Sequence, residues 1–100
     1  MINKETKFER ELMKDLKDLL PGCMIFKLDS SQYQGIPDRL ILFRDSWIAL
    51  EVKESARASH RPNQDWYVEM MNNMSFAAFV YPENRKEIIH EICDTFGVGG

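Results

Sequence analysis

The stretch Gly35–Lys53, GIPDRLILFRDSWIALEVK, reads as two short apolar strands joined by a tight turn at Arg44 to Ser46. Asp38 enters the first strand, and Glu51 and Lys53 end the second. Side chains alternate across a strand, so Glu51 and Lys53 leave one face while Val52, between them, points the other way into a core. Antiparallel pairing across the turn brings the start of the first strand beside the end of the second, and Asp38 with it close to Glu51 and Lys53. Two carboxylates and an ammonium thus converge at the end of a hairpin otherwise dominated by Ile, Leu, Phe, Trp and Val.

Upstream, Phe8, Leu12, Leu16, Leu19 and Leu20 recur at helical spacing, predicting a helix from Lys4 to Leu20 with Asn3 as N-cap and Pro21-Gly22 as its stop. Glu5 and Glu9 both fall near the edge of its apolar stripe. Cys23 to Leu28, CMIFKL, is a strand candidate, and the polar loop DSSQYQG leads from it to the hairpin.

Downstream, ESARASHRPN has no apolar residue larger than Ala and reads as an exposed basic loop. Pro62 suits the first turn of a helix running through Gln64, Trp66, Tyr67, Val68 and Met70 to about Asn72. SFAAFVY, Ser75 to Tyr81, is expected as a strand buried on both faces, ended by Pro82. Glu83 to Phe96 forms the last helix, with Ile88, Ile89, Ile92, Cys93 and Phe96 inward. The order helix, three strands, helix, strand, helix defines an α/β protein with a mixed four-stranded sheet flanked by helices. Residues 1–97 are expected as one domain and 98–100 as a flexible tail.

Composition sets outer bounds. One hundred residues, 44% of them hydrophobic, suit one core and are too few for two. Cys23 and Cys93 make no disulfide framework or CxxC metal pattern and are expected as reduced thiols. The charged start MINKETKFERE lacks the apolar run of a signal peptide, and no apolar stretch approaches membrane-spanning length, so a cytoplasmic location is expected.

GIPD, a strand, ALEVK and then RPNQ together resemble the PD-(D/E)XK nuclease superfamily, and within it the small stand-alone VRR-NUC-type nucleases of phages and bacteria. The resemblance implies a restriction-endonuclease-like core in the order αβββαβα. It also implies a metal-dependent DNA endonuclease using Mg²⁺, for which Mn²⁺ can substitute, in a bacterial or phage-infected cytoplasm. A single PD or ExK arises often by chance, but their combination with Gln64 on the next helix is much more specific.

Phosphodiester hydrolysis needs a metal to neutralise the phosphate and make water nucleophilic, and Mg²⁺ takes hard oxygen ligands. By the resemblance, Asp38, Glu51 and the Val52 backbone carbonyl are ligands, and Lys53 orients the attacking water and stabilises charge on the phosphate. Glu5 best matches a Glu often added from the first helix, with Glu9 as the competitor. Gln64 matches a glutamine that positions the site. A surface ion pair of Lys53 with either acid is the bland alternative, and a helix-start Gln is often merely exposed.

Lys27, Gln34, Arg57, His60 and Arg61 are candidates for substrate contact, against the ordinary reading of such charges as a solvated face. Trp66 and Tyr67 suit base stacking or an interface, and His90 a structural role. The net charge of −3 does not exclude a polyanion: with Asp38, Glu51 and one N-terminal Glu set aside as ligands, the remaining 13 acids equal the 13 Lys plus Arg. A chain this short leaves no room for a separate sequence-reading module, so selectivity for structure over sequence is expected; the resemblance to stand-alone members implies branched or junction DNA as substrate, and that activity implies a homodimer. The alternative is a catalytically inactive nucleic-acid-binding or assembly module, against which the intact Asp38, Glu51 and Lys53 argue.

Overall fold

The helical repeat of Phe8, Leu12 and Leu16 becomes the buried stripe of α1 (Lys4–Leu19). After it come β1 (Met24–Lys27), β2 (Arg39–Phe43), β3 (Ser46–Val52), α2 (Gln64–Met74), β4 (Phe76–Val80), a 3-10 turn at Pro82–Asn84 and α3 (Arg85–Phe96). The computed structural model describes residues 4–99, the side chains of Lys4 and Glu5 excepted, so the expected N-cap Asn3 lies outside the described residues. No helix among the described residues is long and apolar enough to cross a membrane.

The sheet has the order β1-β2-β3-β4: β1, β2 and β3 are antiparallel neighbours, and β4 runs parallel to β3. A parallel pair needs a crossover, which α2 supplies. In the hairpin Arg39 faces Leu50, Ile41 faces Ile48 and Phe43 faces Ser46. Arg44 makes the turn with φ 57°, and its guanidinium donates to Phe96 O at 3.2 Å. There it meets the negative end of the α3 dipole, and the T-shaped Phe43–Phe96 pair packs alongside.

Alternation divides the sheet into two faces. Ile41, Ile48, Leu50 and Val52, with Val80 opposite Val52, form one face, and all are buried with Leu12, Leu16 and Leu20 of the α1 segment and Ile92 and Phe96 of α3. Ala49, Glu51 and Ala77 belong to the opposite face, against which α2 packs over β3 and β4. Beyond the reach of α2 on that face, Met24 and Phe26 of β1 remain 54% and 42% exposed.

Several expectations shift at element ends. Leu19 turns outward while Leu20 is fully buried. Pro62 is not in the first turn of α2: Asn63 adopts a left-handed conformation, φ 71°, and the helix starts at Gln64 and runs on to Met74. Only Ala77 and Val80 of β4 are buried, because β4 is an edge strand. Val98 packs on the core and donates its N–H to Cys93 O at 2.8 Å, so it belongs with the packed chain rather than with a free tail.

Gly35 connects the polar loop to α2. Its φ is +96°, and a Cβ there would lie 2.7 Å from the Asn63 backbone and from Pro62 O. Only glycine combines that dihedral with so close an approach. Gly35→Ala is therefore expected to destabilise the protein by at least about 2 kcal/mol, read as a lower urea midpoint at unchanged slope. An unchanged midpoint would show that the loop does not need its seat on α2.

Candidate active site

β2 begins at Arg39, whose partner is Leu50, so the ladder has ended where β3 reaches Glu51 and Val52. The Val52 N–H is taken instead by the Asp38 side chain, Oδ2 at 3.2 Å. A strand residue turns its N–H and C=O to the same side, so the Val52 carbonyl is also turned toward Asp38. Lys53 turns the other way and donates its N–H to Val80 O at 2.9 Å. The strand ends thus bring two carboxylates and one ammonium to one cleft, with the Val52 carbonyl turned toward Asp38.

Glu51, Lys53 and Gln64 are the buried polar side chains among the described residues, at 4%, 7% and 6% exposure. Gln64 joins the other two: its Nε2 donates to Glu51 Oε2 at 3.0 Å, and its Oε1 accepts from Lys53 Nζ at 2.8 Å and from the Arg61 N–H at 2.7 Å. Lys53 Nζ lies 3.7 Å from Glu51 Oε2. The amide therefore fixes Glu51 and Lys53 in relation to one another, a role that needs both its donor and its acceptor.

The carboxyl groups are held against electrostatic resistance. Burial pushes the Glu51 carboxyl up to about 8, with the Asp38 charge adding to the rise and Lys53 opposing it. Asp38 is raised as well, first by burial, against the lowering effect of the Val52 N–H, and further by the charge of Glu9. Glu51 Oε1 is buried without a hydrogen-bond partner. Two adjacent ionised carboxylates have no donor between them, so they require a shared proton or a cation.

Among the described residues no group of three His, Cys, Asp or Glu side chains forms a ready metal cluster. Two carboxylates and a carbonyl nevertheless fit a hard, strongly hydrated ion such as Mg²⁺, which keeps several waters. Glu51 Oε1 is the unsatisfied donor atom such an ion would engage.

The group opens into a cleft of about 290 Å³ whose walls include Gln34, Gly35, Arg61 and Gln64. Other candidates fall elsewhere. His60 stacks on Phe79, centroids 4.0 Å apart, and pairs with Asp65 at 2.7 Å, outside the cleft walls. Arg57 is exposed and also outside them. Lys27 is exposed and acts electrostatically on Asp38. Glu9 pairs with Arg39 Nε at 2.8 Å, near enough to affect Asp38, whereas the Glu5 side chain lies outside the described residues. His90 is solvent-facing, 3.5 Å from Asp94 one helical turn away.

Sequence reading missed Arg39 and the burial of Gln64. Arg39 directly follows Asp38, and strand alternation turns it to the α1 face, where it meets Glu9. Nothing local signals the burial of Gln64, which depends on how α2 sits against the Gly35 loop.

No family model matches the sequence, and no curated protein matches it. Solved structures do match. One, described as a VRR_NUC domain, superposes with a TM-score of 0.73 at 22% identity, over 89% of this chain and 97% of that one. Another, described as a VRR_NUC domain protein, gives a TM-score of 0.66 at 16% identity, over 99% of this chain and 93% of that one. The chain has the VRR-NUC-type, restriction-endonuclease-like fold.

The raised carboxyls have a measurable consequence. A group whose folded pKa lies above its unfolded value stabilises below the unfolded value and loses that contribution as pH rises through the folded one. For Glu51 that window runs from 4.5 to about 8, and Asp38 acts in the same direction. In chelator, stability should fall across this range with a slope approaching about 1.4 kcal/mol per pH unit for one proton, and Glu51→Gln should flatten it. Urea titrations at several pH values test this. Equal slopes for the native chain and Glu51→Gln would refute the buried-pair assignment.

Proposed function

We propose that this protein is a metal-dependent DNA endonuclease that hydrolyses phosphodiester bonds and selects branched or junction DNA as a homodimer. The observation that carries the reading is the pair Asp38 and Glu51, with Glu51 Oε1 buried and unpartnered beside the Lys53–Gln64 bond at the mouth of a cleft. The pair favours it over a degenerate binding module, because two ionised carboxylates forced together cost stability unless a cation or a shared proton lies between them.

Asp38, Glu51 and the Val52 carbonyl would hold Mg²⁺, or Mn²⁺ in its place. Such an ion supplies Lewis-acid polarisation of the phosphate and a lowered pKa for water. Lys53 lines the cleft, its Nζ oriented by Gln64 Oε1, and directs positive charge to where the phosphate gains negative charge. Gln64 acts on Lys53 and Glu51 as a positioning residue. Arg61 and Gln34, on the walls, are placed to contact the substrate backbone, which carries shape but no base sequence.

Dimerisation is supported by the exposed apolar surface: Trp66, Met74 and Tyr33 are 58%, 72% and 58% exposed and, with Met70, line one hollow. Patches of this kind mark interaction surfaces. Light scattering is expected to give the mass of a dimer, and Met70→Lys with Met74→Lys a monomer. A native monomer at assay concentration would count against the homodimer.

Labelled duplex, flap and four-way-junction DNA, incubated with and without Mg²⁺ or Mn²⁺, test the activity. The native chain should cut only with metal, with branched substrates preferred, and Asp38→Ala and Lys53→Ala should each lose roughly 10²-fold or more in rate. Metal-independent cutting, or cutting by both variants at the native rate, would overturn the reading.

A further inference from the structure

The chain is acidic overall, with 16 Asp plus Glu against 13 Lys plus Arg, yet its cations are not evenly spread. Arg10, Lys14 and Lys17 stand on one exposed stripe of α1, spaced so that each is about one turn from the next. Lys27 and Arg39 are directly opposed on β1 and β2. All five line a groove of about 500 Å³ in which Glu9 is the one acid among the described lining residues.

Like charges one turn apart on a helix, or directly opposite in a sheet, destabilise the free protein. Glu9 relieves Arg39 alone. Among the described residues no acid lies within ion-pair distance of Arg10, Lys14, Lys17 or Lys27. The acids of this helix, Glu11, Asp15 and Asp18, form a separate stripe about 100° around from these cations, with Glu11 and Asp18 one turn from Lys14.

The groove also leads to the carboxylates. Lys27 shares a shallow depression with Ser30 and Asp38, and both of these line the cleft that holds Glu51 and Lys53. Neighbouring hollows thus share their walls in steps from Lys17, past Lys14, Arg10 and Lys27, to Asp38, with Asp29 beside the last step.

We propose that this groove holds the phosphate backbone of one strand of the DNA whose scissile bond lies at Asp38 and Glu51, an inference that rests on the nuclease reading. From Arg10 to Lys17 α1 rises about 10 Å, at about 1.5 Å per residue. That length spans about three phosphates of one strand, at about 3.4 Å each along a duplex. The contacts are to backbone, so the groove sets the path of the strand rather than its sequence.

The test is Lys14→Ala with Lys17→Ala, in a Lys53→Ala background that holds DNA uncut, with anisotropy of a labelled duplex read across a salt series. Both substitutions are on the exposed face of a helix, where Ala is the best helix former, so the fold is retained. Affinity should fall roughly ten-fold, and the slope of log K against log salt should become shallower by about 2, at about 0.9 per lost phosphate contact. Lys7→Ala with Lys86→Ala, which removes two exposed cations outside the groove, should leave affinity within about two-fold and the slope unchanged.

Unchanged affinity and slope, an equal loss in the control pair, or no DNA binding by the parent would each overturn the groove assignment. In the chain with Lys53 intact, the groove substitutions should raise KM more than they lower kcat. Loss of affinity without any cleavage by the native chain would keep the groove and remove the nuclease reading. Cleavage with groove variants indistinguishable from the native chain would do the reverse.

Discussion

The hydrogen bond from the Val52 N–H to Asp38 Oδ2, 3.2 Å, is the joint on which the site depends. At this point β2 has run out of ladder, and β3 has a backbone donor that no strand can satisfy. A buried N–H without a partner costs about 1–3 kcal/mol, so a side-chain acceptor is needed. Asp38 serves as that acceptor, and in doing so it is carried to within interaction range of Glu51. The same bond that closes the sheet thus creates the carboxylate pair, and everything else around it manages the consequence.

Managing it requires elements far apart in sequence. Gln64 is the first residue of α2, and its one amide serves Glu51, Lys53 and the Arg61 backbone together. Its place is set by Gly35, whose missing side chain lets the polar loop touch Pro62 and Asn63. On the other face, Glu9 reaches from α1 to Arg39, the residue next to Asp38. Scaffold and site are divided by the sheet: Ile41, Ile48, Leu50 and Val52 bury one face, while Glu51 projects on the opposite one beneath α2.

This division explains what the sequence made readable. Strand period and turn position determine the hairpin register, and the register alone brings Asp38, Glu51 and Lys53 together. The order of elements and the sheet followed from apolar spacing in the same way. The start of α2 did not: Pro62 looked like a first-turn residue, but Asn63 takes a left-handed conformation so that Gln64 can turn inward. Gln64 and Arg39 gained their partners through tertiary packing, which no local pattern encodes. Between Glu5 and Glu9, spacing left the choice open. The described side chains place Glu9 beside Arg39, committed to an ion pair rather than directly to the carboxylates.

Net charge was similarly a poor guide, because it averages over what the fold separates. Two acids meet at the Asp38–Glu51 pair, while five of the cations line the groove that leads to that pair. Fields in water decay over about 10 Å at 0.1 M salt, so a polyanion near the groove responds to the local cations more than to the total of −3. The two regions also depend on each other. A buried carboxylate pair repels phosphate, and only a bound cation reverses that sign. Flanking Lys and Arg attract the backbone but have no means of activating water. On the proposed nuclease reading, recognition and chemistry require opposite local charges within a short distance, and the end of the β1–β2 ladder, with Lys27 and Arg39 beside Asp38, is where the sheet brings them together.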